Sequence, residues 1–316
     1  MNSFAIHKGL FTRWPTGALL ANYYIGINPV IVNFYSPLFM RTCLLVLLLI
    51  RSTLVISQTP AASASGFQSM LNAYYEEYLK LNPTMASFKG DYRYNNQLEN
   101  SLSQPYREQM KSLYTRHLGK LKTFNENQLG ERDKLSYQIF RYDLERGLEG
   151  MQFPAYLTPM NQMGDYRLQF SQMGSGASYH PFKSVKDYDD FLKRVNGFVV
   201  LSDTAIANMR KGLAQNQVHP RVVIEKVLPQ IKAMLVEDAT TSLFYHPIKN
   251  MPASFSADDK QRLTTAFATA ITEQIIPAYN RLFTFLQQDY LPRCRPTVAL
   301  EALPNGKAQY AFLVKS

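Results

Sequence analysis

Two cysteines in 316 residues, Cys43 and Cys294, are too few for a disulfide framework. If the leading segment is removed, only Cys294 remains and no intrachain bridge can form, which does not argue against export because a large core is stable without one. Acidic residues are missing from the first 60 positions, which hold Lys8, Arg13, Arg41 and Arg51. Of the 34 Lys and Arg, the remaining 30 face 24 acidic residues, so the +10 of the whole sequence falls to +6 over the rest. No Lys/Arg run tracks a phosphate backbone, and nucleic-acid binding is not expected. With 46% hydrophobic residues the protein can still bury a substantial core in one large domain or two ordinary ones.

Long apolar runs are scarce as well. The stretch "MRTCLLVLLLIRSTLVISQTPAASASG" from Met40 combines Arg41, an apolar segment over Cys43–Ile50, and small polar residues, the parts of a secretory signal over 40–64. Val55-Ile56-Ser57 and Ala62-Ser63-Ala64 both offer a cleavage site. Eight apolar residues broken by Arg51 fall short of the ~20 that span a bilayer, so contact with a membrane is expected only through this segment. Cys43 precedes the apolar run, the wrong side for lipid attachment. A signal belongs at an N-terminus, so residues 1–39 read either as an upstream start assignment ahead of Met40 or as a membrane-associated extension. The expected destination is periplasmic or extracellular.

Residues 65–316 carry helical periodicity. Phe67, Met70, Leu71, Tyr74, Tyr78 and Leu81 share one face of a helix that Pro83 ends, with Glu76-Glu77 on its solvated edge. Further helices are expected over 104–124 and 130–150. Ser184 with Asp187 forms a capping-box start for another, which Gly197 or Ser202-Asp203 divides. Pro220 suits a first helical position, and Pro229 predicts a kink or restart. Leu263, Phe267, Ile271, Ile275, Tyr279 and Phe283 recur every four residues in a last helix opened by Ser256 and Asp259, which Pro277 kinks without ending. Residues 157–182 have no sustained period and read as a long irregular loop, the best site-bearing segment. The turn Pro304-Asn305-Gly306 feeds a predicted strand over Tyr310–Val314. The fold class is therefore all-α, mainly long antiparallel helices, with a short C-terminal turn and strand.

Catalytic motifs are also lacking. None of the five histidines, His7, His117, His180, His219 and His246, stands in an HExxH, HxH or CxxC arrangement, so no metal site is expected. Three of them precede a proline and are biased to extended loops, where convergence on zinc is the weaker alternative to capping roles. No GxSxG elbow occurs, Cys294 lacks an assigned base, and the acids of "DYDD" complement a helix dipole. In "KGDYRY", Asp91 and Arg93 are expected to pair and lock a loop.

Six segments in order, "YLKLNPTMASFKGDYRYN", "PMNQM", "DYDDFLKRV", "ANMRKGLAQNQVHPRVVIEKVL", "PAYNRLFTFLQQDYLPRCR" and "ALPNGKAQYAFLV", resemble the N-terminal half of a large bacterial family. It is the domain-of-unknown-function family numbered eight hundred eighty-five, often exported and mostly helical, and the resemblance runs from about residue 66 to the last. Its members look like zincin-type metallopeptidases whose zinc helix lies in a second half. The resemblance implies an incomplete zincin-like domain that binds no cofactor itself, with zinc belonging to full-length relatives. It carries Asn161, Gln162, Arg210, Arg221, Asn305, Gly306 and Tyr310 over as candidate substrate contacts, with no catalytic or metal-binding residue. Two functions follow as expectations. One is the cleft-forming half of an exported zinc-dependent, peptidase-like hydrolase, cut short or completed by a neighbouring chain. The other is a non-catalytic secreted binding module.

Overall fold

The computed structural model describes residues 59–315, with side chains from Ala64 onward, so residues 1–39 and most of the signal segment at 40–64 lie outside the described residues. Helix α1 (Thr59–Leu81) ends where Asn82 and Pro83 begin the short α2 (Pro83–Phe88). Helices α3 (Gln104–Leu121) and α4 (Glu131–Gly150) pack against α1. Their apolar faces bury Phe67, Met70, Leu121, Tyr137, Phe140 and Leu144 as one cluster. Tyr74 and Phe140 meet edge to face with centroids 4.7 Å apart.

The larger core is built on α6 (Val185–Ala214), α7 (Arg221–Lys232), α9 (Ala257–Ala270) and α10 (Ile276–Thr284), with α5 (Tyr166–Gly174) and the single turn α8 (His246–Lys249) filling one end. Phe170 and Phe198 stack at 4.1 Å in its centre. Truncating either ring costs about 3–5 kcal/mol. The expected capping box opens α6: Ser184 accepts from the Asp187 N–H, and the Asp187 carboxylate accepts from the Ser184 N–H.

Four expectations need correction. Helix α6 runs unbroken through Gly197 and Ser202-Asp203, because Gly197 admits Leu98 to a distance where a Cβ would lie 2.8 Å from the Leu98 side chain. Its lack of a side chain serves packing. Helix α7 begins after Pro220, which is its N-cap, and continues past Pro229 without restarting. The segment 157–182 is not structureless, since it contains α5, capped by Asp165. The closing strand at Tyr310–Val314 is a helix, α11 (Gly306–Val314). Asn305 takes the left-handed conformation at φ 59°, as a turn residue would, but the turn starts a helix rich in Ala, Gln, Lys and Leu. A helix satisfies its own backbone groups, so the segment needs no strand partner. Among the described residues there is no strand, only an isolated parallel bridge between Pro220 and Arg295.

The last long helix shows how its four-residue repeat is accommodated. A stripe recurring every four residues drifts about 40° per step around an α-helix. Wider π turns at Ile271–Ile275 and Phe285–Tyr290 absorb that drift, and the first sits just before Pro277, whose missing N–H falls at the start of α10. Beyond Tyr279 the buried positions become Leu282, Leu286 and Tyr290, and Phe283 moves to the margin.

Arg194 of α6 ties the larger core to α2 and to the segment that follows it. Fully buried, it donates to the Gln97 carbonyl at 2.9 Å, the Ser87 hydroxyl at 2.6 Å and His180 Nδ1 at 3.0 Å. Burial pulls its pKa down to about 10, against the attraction of Glu99.

Candidate functional site

Within the segment that the sequence singles out, 157–182, residues 160–165 are held from beneath by a buried polar network. Asp165 caps α5, its Oδ1 accepting from the N–H groups of Arg167 at 3.0 Å and Leu168 at 3.3 Å. Its Oδ2 accepts from Arg167 Nε at 3.0 Å, Arg167 Nη2 at 2.8 Å and the Asn161 N–H at 3.0 Å. Both side chains of this ion pair are almost wholly buried, at 3% and 2% exposed. Arg167 Nη2 reaches Gln230 Oε1 at 3.3 Å, and Gln230 Nε2 donates to the Gln162 carbonyl at 3.0 Å. Tyr279 donates its hydroxyl proton to the Arg167 carbonyl. These bonds engage the backbone and leave side chains at the surface: Asn161 is exposed, Gln162 half-buried and Met163 84% exposed. Asn161 Oδ1 in turn accepts from the Met163 N–H at 2.7 Å, so the loop presents the Asn161 Nδ2, the Gln162 side chain and the Met163 thioether.

His219 supports the other side of this loop, its Nε2 accepting from the Met160 N–H at 3.1 Å. That bond fixes the neutral tautomer with the proton on Nδ1. Burial, with Arg295 nearby, pushes the imidazole down to about 3. Around His219 the backbone is stitched twice: Arg295 N–H to the His219 carbonyl at 3.2 Å, and Arg221 N–H to the Arg295 carbonyl at 2.9 Å. Arg295 Nε donates to the Val218 carbonyl at 3.1 Å, and Tyr290 OH accepts from the His219 N–H at 3.0 Å.

Of the carried-over residues, Asn161 and Gln162 thus lie on one side of His219 and Arg221 on the other. The Arg221 guanidinium pairs with Glu225 one turn along α7 at 2.9 Å. Arg210 sits elsewhere, paired with Asp289 at 2.9 Å and lying over the Phe285 ring at 4.7 Å. Asn305 and Gly306 form the start of α11, where a Cβ on Gly306 would lie 2.1 Å from the Leu300 carbonyl, and Tyr310 is 60% exposed on the helix. Among the described residues, no hydrogen bond or ion pair joins Arg210 or the α11 residues to the Asn161-Gln162 loop.

The histidines are engaged separately. His180 donates from Nε2 to the Asp187 carbonyl and accepts from Arg194 on Nδ1, and burial lowers it to about 4. His246 meets the Ser175 carbonyl through Nδ1, and His117 meets Glu77 at 3.1 Å. Among the described residues there is no group of three His, Cys, Asp or Glu able to hold a metal ion, so these residues do not fit zinc. Burial raises the Cys294 thiol to about 11, which keeps it protonated and poorly nucleophilic.

Sequence reasoning did not anticipate the Asp165–Arg167–Gln230 network, although a signal was present. The Gly-Asp-Tyr-Arg of Gly90–Arg93 recurs at Gly164–Arg167. In both copies the Asp accepts the N–H and Nε of the Arg two residues on. The first copy is exposed, its Arg93 reaching Glu76 at 2.7 Å. The second is buried and positions the loop.

Two grooves flank an exposed ridge of α6. One, of 420 Å³, lies toward the start of α3 and includes Arg107, Asp203 and Lys211. The other, of 510 Å³, lies toward α10 and includes Asp203, Arg210 and Asp289.

No curated protein matches the sequence. Among solved structures it is similar in fold to a protein described as "the putative lipoprotein from Colwellia psychrerythraea", with a TM-score of 0.68 and 17% identity. The similarity covers 80% of this chain and 46% of that one, so this chain spans less than half the length of its solved relative. Residues 83–316 match the family model of a bacterial protein of unknown function, DUF885. By that match over most of its length, the chain belongs to the DUF885 family.

Proposed function

We propose that this chain is the helical, ligand-contacting portion of an exported zinc-dependent hydrolase acting on peptides, with the metal held by polypeptide other than the described residues. The observation that carries this reading is α11. It leaves Tyr310, Leu313 and Val314 exposed at 60%, 49% and 65%, with Val298 nearby in sequence at 69%, a concentration of apolar surface on one terminal segment. A solved relative of which the match covers only 46% fits a covering polypeptide, either continuous with this one or on a neighbouring one. The family resemblance in the six ordered segments supplies the hydrolase class. Export rests on the signal-like stretch from Met40 and on the lipoprotein description of the relative. No helix among the described residues is long and apolar enough to cross a membrane.

In this reading the Asn161-Gln162 loop contributes amide donors and acceptors that meet a peptide backbone, and the network beneath keeps them oriented before ligand arrives. The test is metal-independent binding. The full-length protein, stripped with a chelator, should bind an unbiased peptide mixture as well as the untreated protein does and contain far less than one zinc per molecule. Loss of peptide binding on metal removal would contradict the division of labour.

A further inference from the structure

The 420 Å³ groove between α3 and α6 has a donor inventory that points to one ligand chemistry. Its neutral polar side chains each make at least one bond within the protein, Gln104 Nε2 donating to Glu108 Oε1 at 2.7 Å. The Ser103 hydroxyl accepts from the Tyr106 N–H as the cap of α3. Thr204 Oγ1 donates to the Val200 carbonyl and accepts from Asn100 Nδ2, each at 2.8 Å. Asn208 Nδ2 donates to the Leu102 carbonyl at 2.9 Å. The groove's one carboxylate, Asp203, is matched by Arg281 at 3.0 Å.

Two cations remain. Arg107 lies 3.7 Å from the centre of the Tyr156 ring and donates one Nη1 bond to the Leu102 carbonyl at 2.6 Å. Stacking and that single bond fix the plane of the guanidinium while leaving its other N–H groups uncommitted. The Lys211 ammonium, exposed on α6, has no partner among the described residues. Leu102, Val200 and Ala207 supply an apolar lining beside them.

We propose that this groove binds a carboxylate group carried on a short extended ligand, held by the Arg107 fork and the Lys211 ammonium. Because Asp203 is matched by Arg281, the two cations are the groove's unmatched charges, and with the apolar lining beside them they suit a carboxylate, while the Asp203 carboxylate in the same lining works against a more highly charged anion such as phosphate. The volume is that of a small-ligand cleft. The inference rests on the groove's own chemistry and stands apart from the hydrolase reading, since its readout is binding and not turnover. The carboxylate can come from an acidic side chain or from the C-terminus of a peptide.

Calorimetric titration of the full-length protein with three short alanine peptides tests it: one blocked at both ends with a central glutamate, one with a free C-terminal carboxylate, and one neutral and blocked. A carboxylate peptide should show a binding component that Lys211→Met removes and the neutral one should show none, whatever either peptide does at the Asn161-Gln162 loop, and the tighter of the two charged peptides names the source. Lys211→Met, at an exposed position where folding is not at stake, should weaken binding roughly tenfold, and Arg107→Gln at least as much. Arg107→Lys should recover only part of the loss, and Lys120→Met on the far end of α3 should have no effect. Equal binding of all three peptides, indifference to Lys211→Met, or displacement by inorganic phosphate at lower concentration than by acetate would overturn the proposal.

Discussion

Replacing Asp165 by Asn is the sharpest probe of the loop scaffold, because it keeps the shape and removes only the charge and one acceptor. Asp165 Oδ1 can still accept the Arg167 and Leu168 N–H groups as an N-cap after the change. The position of Oδ2 is different. It accepts from Arg167 Nε, Arg167 Nη2 and the Asn161 N–H, so an amide Nδ2 placed there would face three donors with a fourth. Arg167, 2% exposed, would retain its charge with only Gln230 and the Asn161 carbonyl as partners. Leaving a buried charge unmatched costs about 3–5 kcal/mol. Urea unfolding of wild type and Asp165→Asn, followed by circular dichroism, should therefore differ by about that amount at unchanged slope. Adding Arg167→Met removes the stranded charge and should recover a large part of the loss. A difference under about 1 kcal/mol, typical of an exposed ion pair, would refute the claim that this network is buried and fixes the loop.

Three further outcomes follow from particular side chains. His180 and His219 are held neutral with pKa values lowered to about 4 and about 3 by burial, against an ordinary 6.5. The unfolded protein takes up their protons below pH 6.5 and the folded protein does not, so their contribution is intact above that pH and is lost as pH falls toward 4. It should amount to about 3 kcal/mol for His180 alone. Glu99, which burial raises, acts in the opposite sense, so the readout is the difference between wild type and His180→Asn across pH 4.5 to 7.5, and parallel curves would contradict it. Gly212→Ala would place a Cβ 2.5 Å from the Gln217 carbonyl and 3.1 Å from that of Leu157, both backbone, and should cost about 1–3 kcal/mol in the same unfolding assay. Gly119→Ala, on the exposed face of α3 with nothing within 4 Å, should instead stabilise by about 0.5–1 kcal/mol.

The helices were legible because their apolar residues recur with a period that burial then uses: Phe67 and Met70 in one cluster, Leu263 through Tyr279 in the other. Caps were legible where a side chain and its target lie three residues apart, as with Ser184 and Asp187 or Ser256 and Asp259. What failed were features that depend on distant neighbours. Gly197 looks like a helix breaker until Leu98 is seen pressed against it, and the aromatic Tyr310–Val314 stretch looks like a strand until its Ala, Gln and Lys are weighed as helix formers. The buried role of Asp165 and Arg167 depends on Gln230, over sixty residues away, which local spacing does not reveal. Of the candidate contacts, Asn161 and Gln162 were found as a loop, but the groove at Arg107 and Lys211 joins two helices and carries no motif.

The most direct measurement joins this chain to the remaining portion of a longer family member and follows peptide cleavage and zinc content together. The account predicts that this protein by itself cleaves nothing, and that the joined protein acquires about one zinc and hydrolyses peptides until a chelator stops it. Cleavage by the unjoined protein, or a joined protein that binds peptide but never zinc, would contradict it.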